Sequence, residues 1–265
     1  LKKLTGFLAA FLLIFTFSLQ LQAASYGVFL GVDGDKVGNK LKNYNTVVIE
    51  PTVFTRRQIQ ILKRQGKKVY AYLNVGAIER YRPYYHKYSG LTFANYDNWD
   101  ERWVNISSRK WQNFIISRAK KFKSYGYDGF FVDNLDVYAH KKKTSIYNGA
   151  CRILLAMKQM GASVLINGAD VFVSKAISKG HAKRIIDAVN QEEVFTSINF
   201  DFNSYGKQSR SILNYYKNYF KRVKKAGIHA YLLEYRASGS NLRRLKQYCR
   251  ANGFNYYNAK SLYLR

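Results

Sequence analysis

The 265-residue sequence is short of acid: 16 Asp and Glu stand against 44 Lys and Arg, a formal net charge of +28. It also holds only two prolines, two cysteines and four histidines. With so little proline, no low-complexity stretch and no internal repeat, the chain reads as one domain. Its histidines (His86, His140, His181, His229) are far apart and lack paired spacing, so no metal site is expected. Cys151 and Cys249 each share a helical apolar face with leucines, which predicts two core residues; a bridge is the alternative, and the barrel layout read below, which sets them on helices that are not neighbours, argues against it. A Gly-x-Ser-x-Gly elbow is missing, which removes the usual signature of a serine nucleophile. A Gly-rich phosphate loop after the first predicted strand is missing too, which counts against a dinucleotide fold, and no cofactor is implied. Without a nucleic-acid motif, the dispersed basic charge predicts a solvated exterior drawn to an anionic cell envelope, with no specific nucleic-acid partner.

What is present divides the chain. Lys2 and Lys3 precede an apolar run at 7–17, and small residues close the segment at Ala23 and Ala24. This is the pattern of a secretory signal peptide, expected over residues 1–24, with the mature domain over 25–265. The expected location is secreted, periplasmic or cell-envelope. An uncleaved anchor is the alternative, although the run is short for a bilayer.

Beyond residue 25, short β-rich runs alternate with helical patterns. Strands are predicted at 26–31, 46–50, 69–74, 129–133, 163–167, 188–192, 229–234 and 255–258. Most are continuous apolar runs, as parallel strands buried on both faces should be. Helices are predicted at 54–65, 108–124, 144–160, 171–182, 208–226 and 240–251, several stopping near a glycine. Eight such units predict an α/β fold, a (β/α)8 TIM barrel, with an open doubly wound sheet as the alternative.

In a barrel, chemistry gathers where the strands end. Nine of the 16 acids fall at or just after predicted strand ends: Asp33, Glu50, Glu79, Asp133, Asp136, Asp170, Glu192, Glu193 and Glu234. Crowded carboxylates repel, so a pocket that tolerates them is expected to do acid–base work. Aromatic and amide residues fall at the same ends, among them Tyr72, Asn74, Tyr81, Trp103, Asn134, Tyr138, Asn167 and Tyr235. Acids beside aromatic platforms suit a carbohydrate. Asp128 and Asp187 precede strands and are read as residues of the opposite, stable face; Asp97, Asp100 and Glu101 are read as solvated loop acids.

The stretch GYDGFFVDNLDVY at 126–138 resembles the Gly-x-Asp-Gly-x-Phe-Leu-Asp-x-x-Asp segment of glycoside hydrolase family 114, which includes endo-α-1,4-polygalactosaminidases. Further matches follow in order: TVVIEP at 46–51, AYLNVGAIERYR at 71–82, Trp103-Val104-Asn105-Ile106 with Trp111, and QEEVF at 191–195. The chain departs from the family pattern at Glu50 and Asn105, where Asp is usual, and at Ala77 and Ile78, where the family tends to be acidic. The resemblance implies a secreted glycosidase cleaving an amino-sugar polysaccharide, with Asp133 and Glu192 as the catalytic pair. Aligning Phe195 with the motif selects Glu192 over Glu193. Substrate contacts are expected from Glu50, Tyr72, Asn74, Glu79, Arg82, Trp103, Asp136, Asn167, Glu193 and Glu234. A non-catalytic polysaccharide-binding barrel is the alternative.

Overall fold

A computed structural model describes residues 25–36 and 40–265; the expected signal peptide lies outside the described residues. Eight runs rich in Val, Ile, Phe and Tyr form the strands β1 (Tyr26–Phe29), β2 (Thr46–Ile49), β3 (Lys68–Asn74), β4 (Gly129–Asp133), β5 (Ser163–Asn167), β6 (Ala188–Glu192), β7 (His229–Tyr235) and β8 (Asn255–Ala259). They lie in one sheet in chain order, each parallel to the next. The first and last strands approach each other through the Phe29 and Tyr257 rings, 5.4 Å apart, and through a hydrogen bond from Gly31 N to Leu264 O. The result is a nearly closed (β/α)8 TIM barrel. β2 is buried at every residue, as a strand with helices outside and packed side chains inside must be.

The helices of the outer ring are α1 (Arg56–Arg64), α2 (Arg109–Tyr125), α3 (Thr144–Gln159), α4 (Asp170–Ser178), α5 (Arg210–Lys225) and α6 (Gly239–Asn252). α1 starts on a reciprocal capping box between Thr55 and Gln58. The helix expected over 171–182 is cut short, because Gly180 takes the left-handed conformation (φ 71°) and a separate turn, Ala182–Ile185, follows. Both cysteines are free, as the barrel layout predicts; Cys249 is a buried core residue, whereas Cys151 is only half-buried.

Two insertions were not foreseen. After β3 the chain makes a three-stranded antiparallel sheet from Ala77–Glu79, Thr92–Tyr96 and Glu101–Val104. After β6 it makes a hairpin from Thr196–Asn199 and Ser204–Lys207. Both leave from the C-terminal ends of barrel strands, so they rise over one mouth.

The opposite end is held by a device used twice. Asp128, just before β4, accepts from Val69 N at the start of β3 (2.7 Å) and from Lys63 of α1 (2.5 and 2.6 Å). Asp187, just before β6, accepts from Val164 N at the start of β5 (2.8 Å) and from Lys158 of α3 (2.6 and 2.7 Å). Each carboxylate thus ties a strand, the helix before it and the next strand into one corner. A charge-assisted bond to a backbone amide is stronger than an exposed ion pair. Asp187→Ala is therefore expected to cost about 1–3 kcal/mol, read as a loss of several degrees in thermal unfolding.

Candidate active site

Four consecutive barrel strands end in polar residues that touch one another. Asp133 ends β4, Asn167 ends β5, Glu192 ends β6 and Tyr235 ends β7. The single side-chain nitrogen of Asn167 donates to Asp133 Oδ1 (2.9 Å) and to Glu192 Oε1 (2.7 Å). The Tyr235 hydroxyl donates to Glu192 Oε2. Asp133 also accepts from the Tyr72 hydroxyl (2.9 Å) and from Asn134 N (3.0 Å). Each of the four strand-ending residues is followed by a residue at positive φ: Asn134 (63°), Gly168 (60°), Glu193 (56°) and Arg236 (52°). That left-handed step turns the backbone sharply at the rim and leaves the preceding side chain facing the barrel axis. For a residue with a Cβ it is costly, and such strain gathers at functional sites.

The insertion after β3 supplies a second acidic group. Arg82 is buried between Glu50 Oε2 (2.9 Å) and Glu79 Oε1 (2.8 Å). Glu101 Oε2 accepts from the side-chain nitrogens of Asn74 and Asn134, both at 3.0 Å. Gly76 lets this insertion lie against the end of β4, since a Cβ there would sit 1.6 Å from the Asn134 carbonyl oxygen.

Both groups line a cavity of about 780 Å³ at the C-terminal mouth. Among the described residues that line it, eight are acids (Glu50, Glu79, Asp100, Glu101, Asp133, Asp136, Glu192, Glu193) and one, Arg82, is basic. Tyr81, Trp99, Phe200 and Tyr263 present exposed aromatic surface to the same cavity.

Of the expected contact residues, Glu50, Tyr72, Glu79, Arg82, Asp136, Asn167 and Glu193 line this cavity, together with Asp133 and Glu192. Three stand elsewhere. Glu234 is fully buried behind the wall, where its carboxylate accepts from Val194 N, Phe195 N, Thr196 N and Thr196 Oγ1 and so anchors the start of the hairpin. Asn74 stands behind Glu101 and orients it, and also accepts from Ala77 N. Trp103 is buried between the Tyr96 and His140 rings, at 4.4 and 4.3 Å. Glu193 lines the cavity, yet its carboxylate accepts from Ile198 N (2.6 Å) and braces the hairpin. Asp136 accepts from Ala169 N (3.1 and 3.2 Å). Glu101, which the sequence places among solvated loop acids, stands in the wall instead, because the insertion folds back and pairs it with Glu79.

The sequence model of glycoside-hydrolase family GH114 matches residues 16–261. No curated protein matches the sequence. Among solved structures, the glycoside hydrolase domain of PelA from Pseudomonas aeruginosa is similar at 15% identity and a TM-score of 0.73, covering 92% of this chain and 96% of that one. Aspergillus fumigatus Ega3, solved in complex with galactosamine, is similar at 16% identity and a TM-score of 0.72, covering 92% and 93%. An α-galactosidase from Thermus thermophilus shares the fold at 10% identity and a TM-score of 0.60, covering 88% of this chain and 57% of that one.

Burial dominates the electrostatics of the mouth. It lifts Glu192 to about 7, against the donors Tyr235 and Asn167 and with added repulsion from Asp133 and Glu193. It lifts Asp136 to about 7, helped by Asp133, and Glu101 to about 8, helped by Glu79 and Asp133. Asp133 is raised by burial as well, held back by Asn167, Tyr72 and Asn134 N. Glu50 goes the other way: burial alone would raise it, but Arg82 and Thr52 outweigh burial and lower it. Raised carboxyls keep protons in the folded state that the unfolded chain has released. The contribution of these raised carboxyls to stability is therefore expected to be greatest at the acid end and to fall as pH rises from about 4.5 to about 8, whereas that of Glu50 has the opposite sign and is lost on acidification. Glu101→Gln should flatten the upper part of that decline, measured as urea midpoints across the pH range.

Proposed function

The chain belongs to glycoside-hydrolase family GH114, and from that premise we propose that it is a secreted, endo-acting glycosidase cleaving an amino-sugar polysaccharide, endo-α-1,4-polygalactosaminidase-like, with Asp133 and Glu192 as its reacting pair. One observation carries the reading. The two carboxylates share one nitrogen through bonds of 2.9 and 2.7 Å, so the bonded oxygens lie no more than about 5.6 Å apart. Retaining enzymes hold their carboxyls about 5–5.5 Å apart, and inverting enzymes about 6.5–9.5 Å. The spacing supports retention.

Asp133, with three donors, is the better-stabilised anion and serves as nucleophile. Glu192, buried and beside other acids, holds a proton near neutrality and serves as acid. Asp133 attacks the anomeric carbon while the glycosidic bond breaks and the Glu192 proton passes to the leaving oxygen. Glu192, now a carboxylate, takes a proton from water, whose oxygen displaces Asp133 and releases the second product with its configuration retained.

The charge of the cavity supports the substrate class. The one cation among its described lining residues, Arg82, is already bonded to Glu50 and Glu79, which leaves a surplus of carboxyl groups for the ammonium of an amino sugar. The exposed aromatic rings at the mouth suit the faces of sugar rings on either side of the cut. Residues 1–24 are the expected export signal, and the basic exterior would hold the mature protein near an anionic envelope.

Asp133→Asn is expected to lower the release of reducing ends by at least about a hundredfold, with the far-UV spectrum unchanged. The assay uses a panel of amino-sugar, neutral and acidic polysaccharides. NMR of the first-formed product should show the anomeric configuration of the substrate. Activity kept by Asp133→Asn, or an inverted first product, would contradict the assignment.

A further inference from the structure

The amide of Asn167 has two ends, and only one of them suits two carboxylates. Something must hold its nitrogen, and not its oxygen, toward Asp133 and Glu192. Asn190 does so. It lies beside Asn167 in the β5–β6 register, is fully buried, and donates through Nδ2 to Asn167 Oδ1 at 2.7 Å. Its own oxygen accepts from the Tyr26 hydroxyl, at 3.1 Å, which reaches it across the barrel interior from the first strand. Donors thus run one way, from Tyr26 to Asn190 to Asn167 and on to the two carboxylates. Turning Asn167 over would set its oxygen against both anions and its nitrogen against the nitrogen of Asn190. Each bond in such a file polarises the next, and the file lies in a buried, weakly screened interior.

Neither Asn190 nor Tyr26 lines the cavity. The pair is otherwise faced by the Tyr72 and Tyr235 hydroxyls and by the carboxylates of Glu79, Glu101, Asp136 and Glu193. None of these hydrogen-bonds to Asn190. We propose that Asn190 and Tyr26 are positioning residues of the reaction: they fix the orientation of Asn167 and thereby the spacing of Asp133 and Glu192, without touching substrate. This inference rests on the reading of Asp133 and Glu192 as the reacting pair.

The test compares the full chain with Tyr26→Phe, Asn190→Leu and Asn190→Asp, measuring kcat and KM on an amino-sugar polysaccharide across pH, with Asp133→Asn alongside. Asn190→Leu should lower kcat by about a hundredfold, the scale of a small misplacement of reacting groups, with KM within about twofold. The acid limb of its kcat profile should move up by about one unit, since carboxylates that lose a donor bind protons more tightly. Tyr26→Phe removes one oxygen and leaves the ring in place; a smaller loss of the same sign, about threefold to tenfold, is expected with the far-UV spectrum unchanged. Asn190→Asp should recover part of the Leu loss at acid pH, where a protonated carboxyl donates to Asn167 as the amide does, and lose that recovery as pH rises. An inactive Asp133→Asn beside folded Tyr26→Phe and Asn190 variants with unchanged kcat and pH profile would overturn this inference alone. A proportionate rise in KM with an unmoved acid limb would also overturn it. An active Asp133→Asn would overturn the pair itself.

Discussion

The mouth of this barrel depends on one nitrogen shared by two carboxylates. Asp133 and Glu192 end strands that are not neighbours, with β5 between them, and left alone their buried carboxylates would repel. Asn167, at the end of the intervening strand, supplies the donor that lets both stay close. The geometry is a consequence of the barrel: successive parallel strands deliver their last residues to one rim at nearly one level. The left-handed residue after each of these four strands then takes the backbone away and leaves a polar side chain behind.

The chain separates its charges. Eight of 16 acids line one cavity, while the 44 basic residues, Arg82 apart, are kept out of its described wall. A carboxylate in such company is expensive to ionise, and the protein meets that cost in two ways. Glu50 is stabilised by a buried cation, Arg82, whereas Glu101, Asp136 and Glu192 retain protons to higher pH. A cavity of this kind holds groups poised to give up a proton near neutrality, which is what cleavage of a glycosidic bond requires. The same crowding is unfavourable to the fold, and the clamps at the far end, built on Asp128 and Asp187, sit where no such demand exists.

Much of this was legible in the sequence because buried parallel strands announce themselves. All eight strands appear where the sequence predicts them, most of them as continuous apolar runs, and the acids at the predicted ends reach the mouth in six of nine cases, from Glu50 to Glu193. Hidden from the sequence were the side chains whose partners are set by tertiary contact. Glu234 closes a predicted strand as Glu192 does, but the strand runs one residue further, to Tyr235, and four donors from one loop turn Glu234 into a buried anchor, which strand position alone could not reveal. Glu101 sits in a short polar segment with no apolar period, and becomes part of the wall only through antiparallel pairing with Glu79. Asn190 reads as one polar residue in a strand; its meaning lies in which atom it turns toward Asn167. The insertions that carry Trp99 and Phe200 are built from strands of three to five residues, too short for periodicity to resolve.

The central claim is that the shared amide lets one member of a close pair remain ionised while the other keeps its proton. Carbon-13 NMR of protein labelled at the side-chain carboxyls of Asp and Glu, with signals assigned by Asp133→Asn and Glu192→Gln, tests it most directly. The account predicts that Glu192 titrates near 7 and that Asp133 ionises first. A Glu192 signal titrating in the ordinary carboxylate range near 4.5, or one that ionises before Asp133, would contradict it.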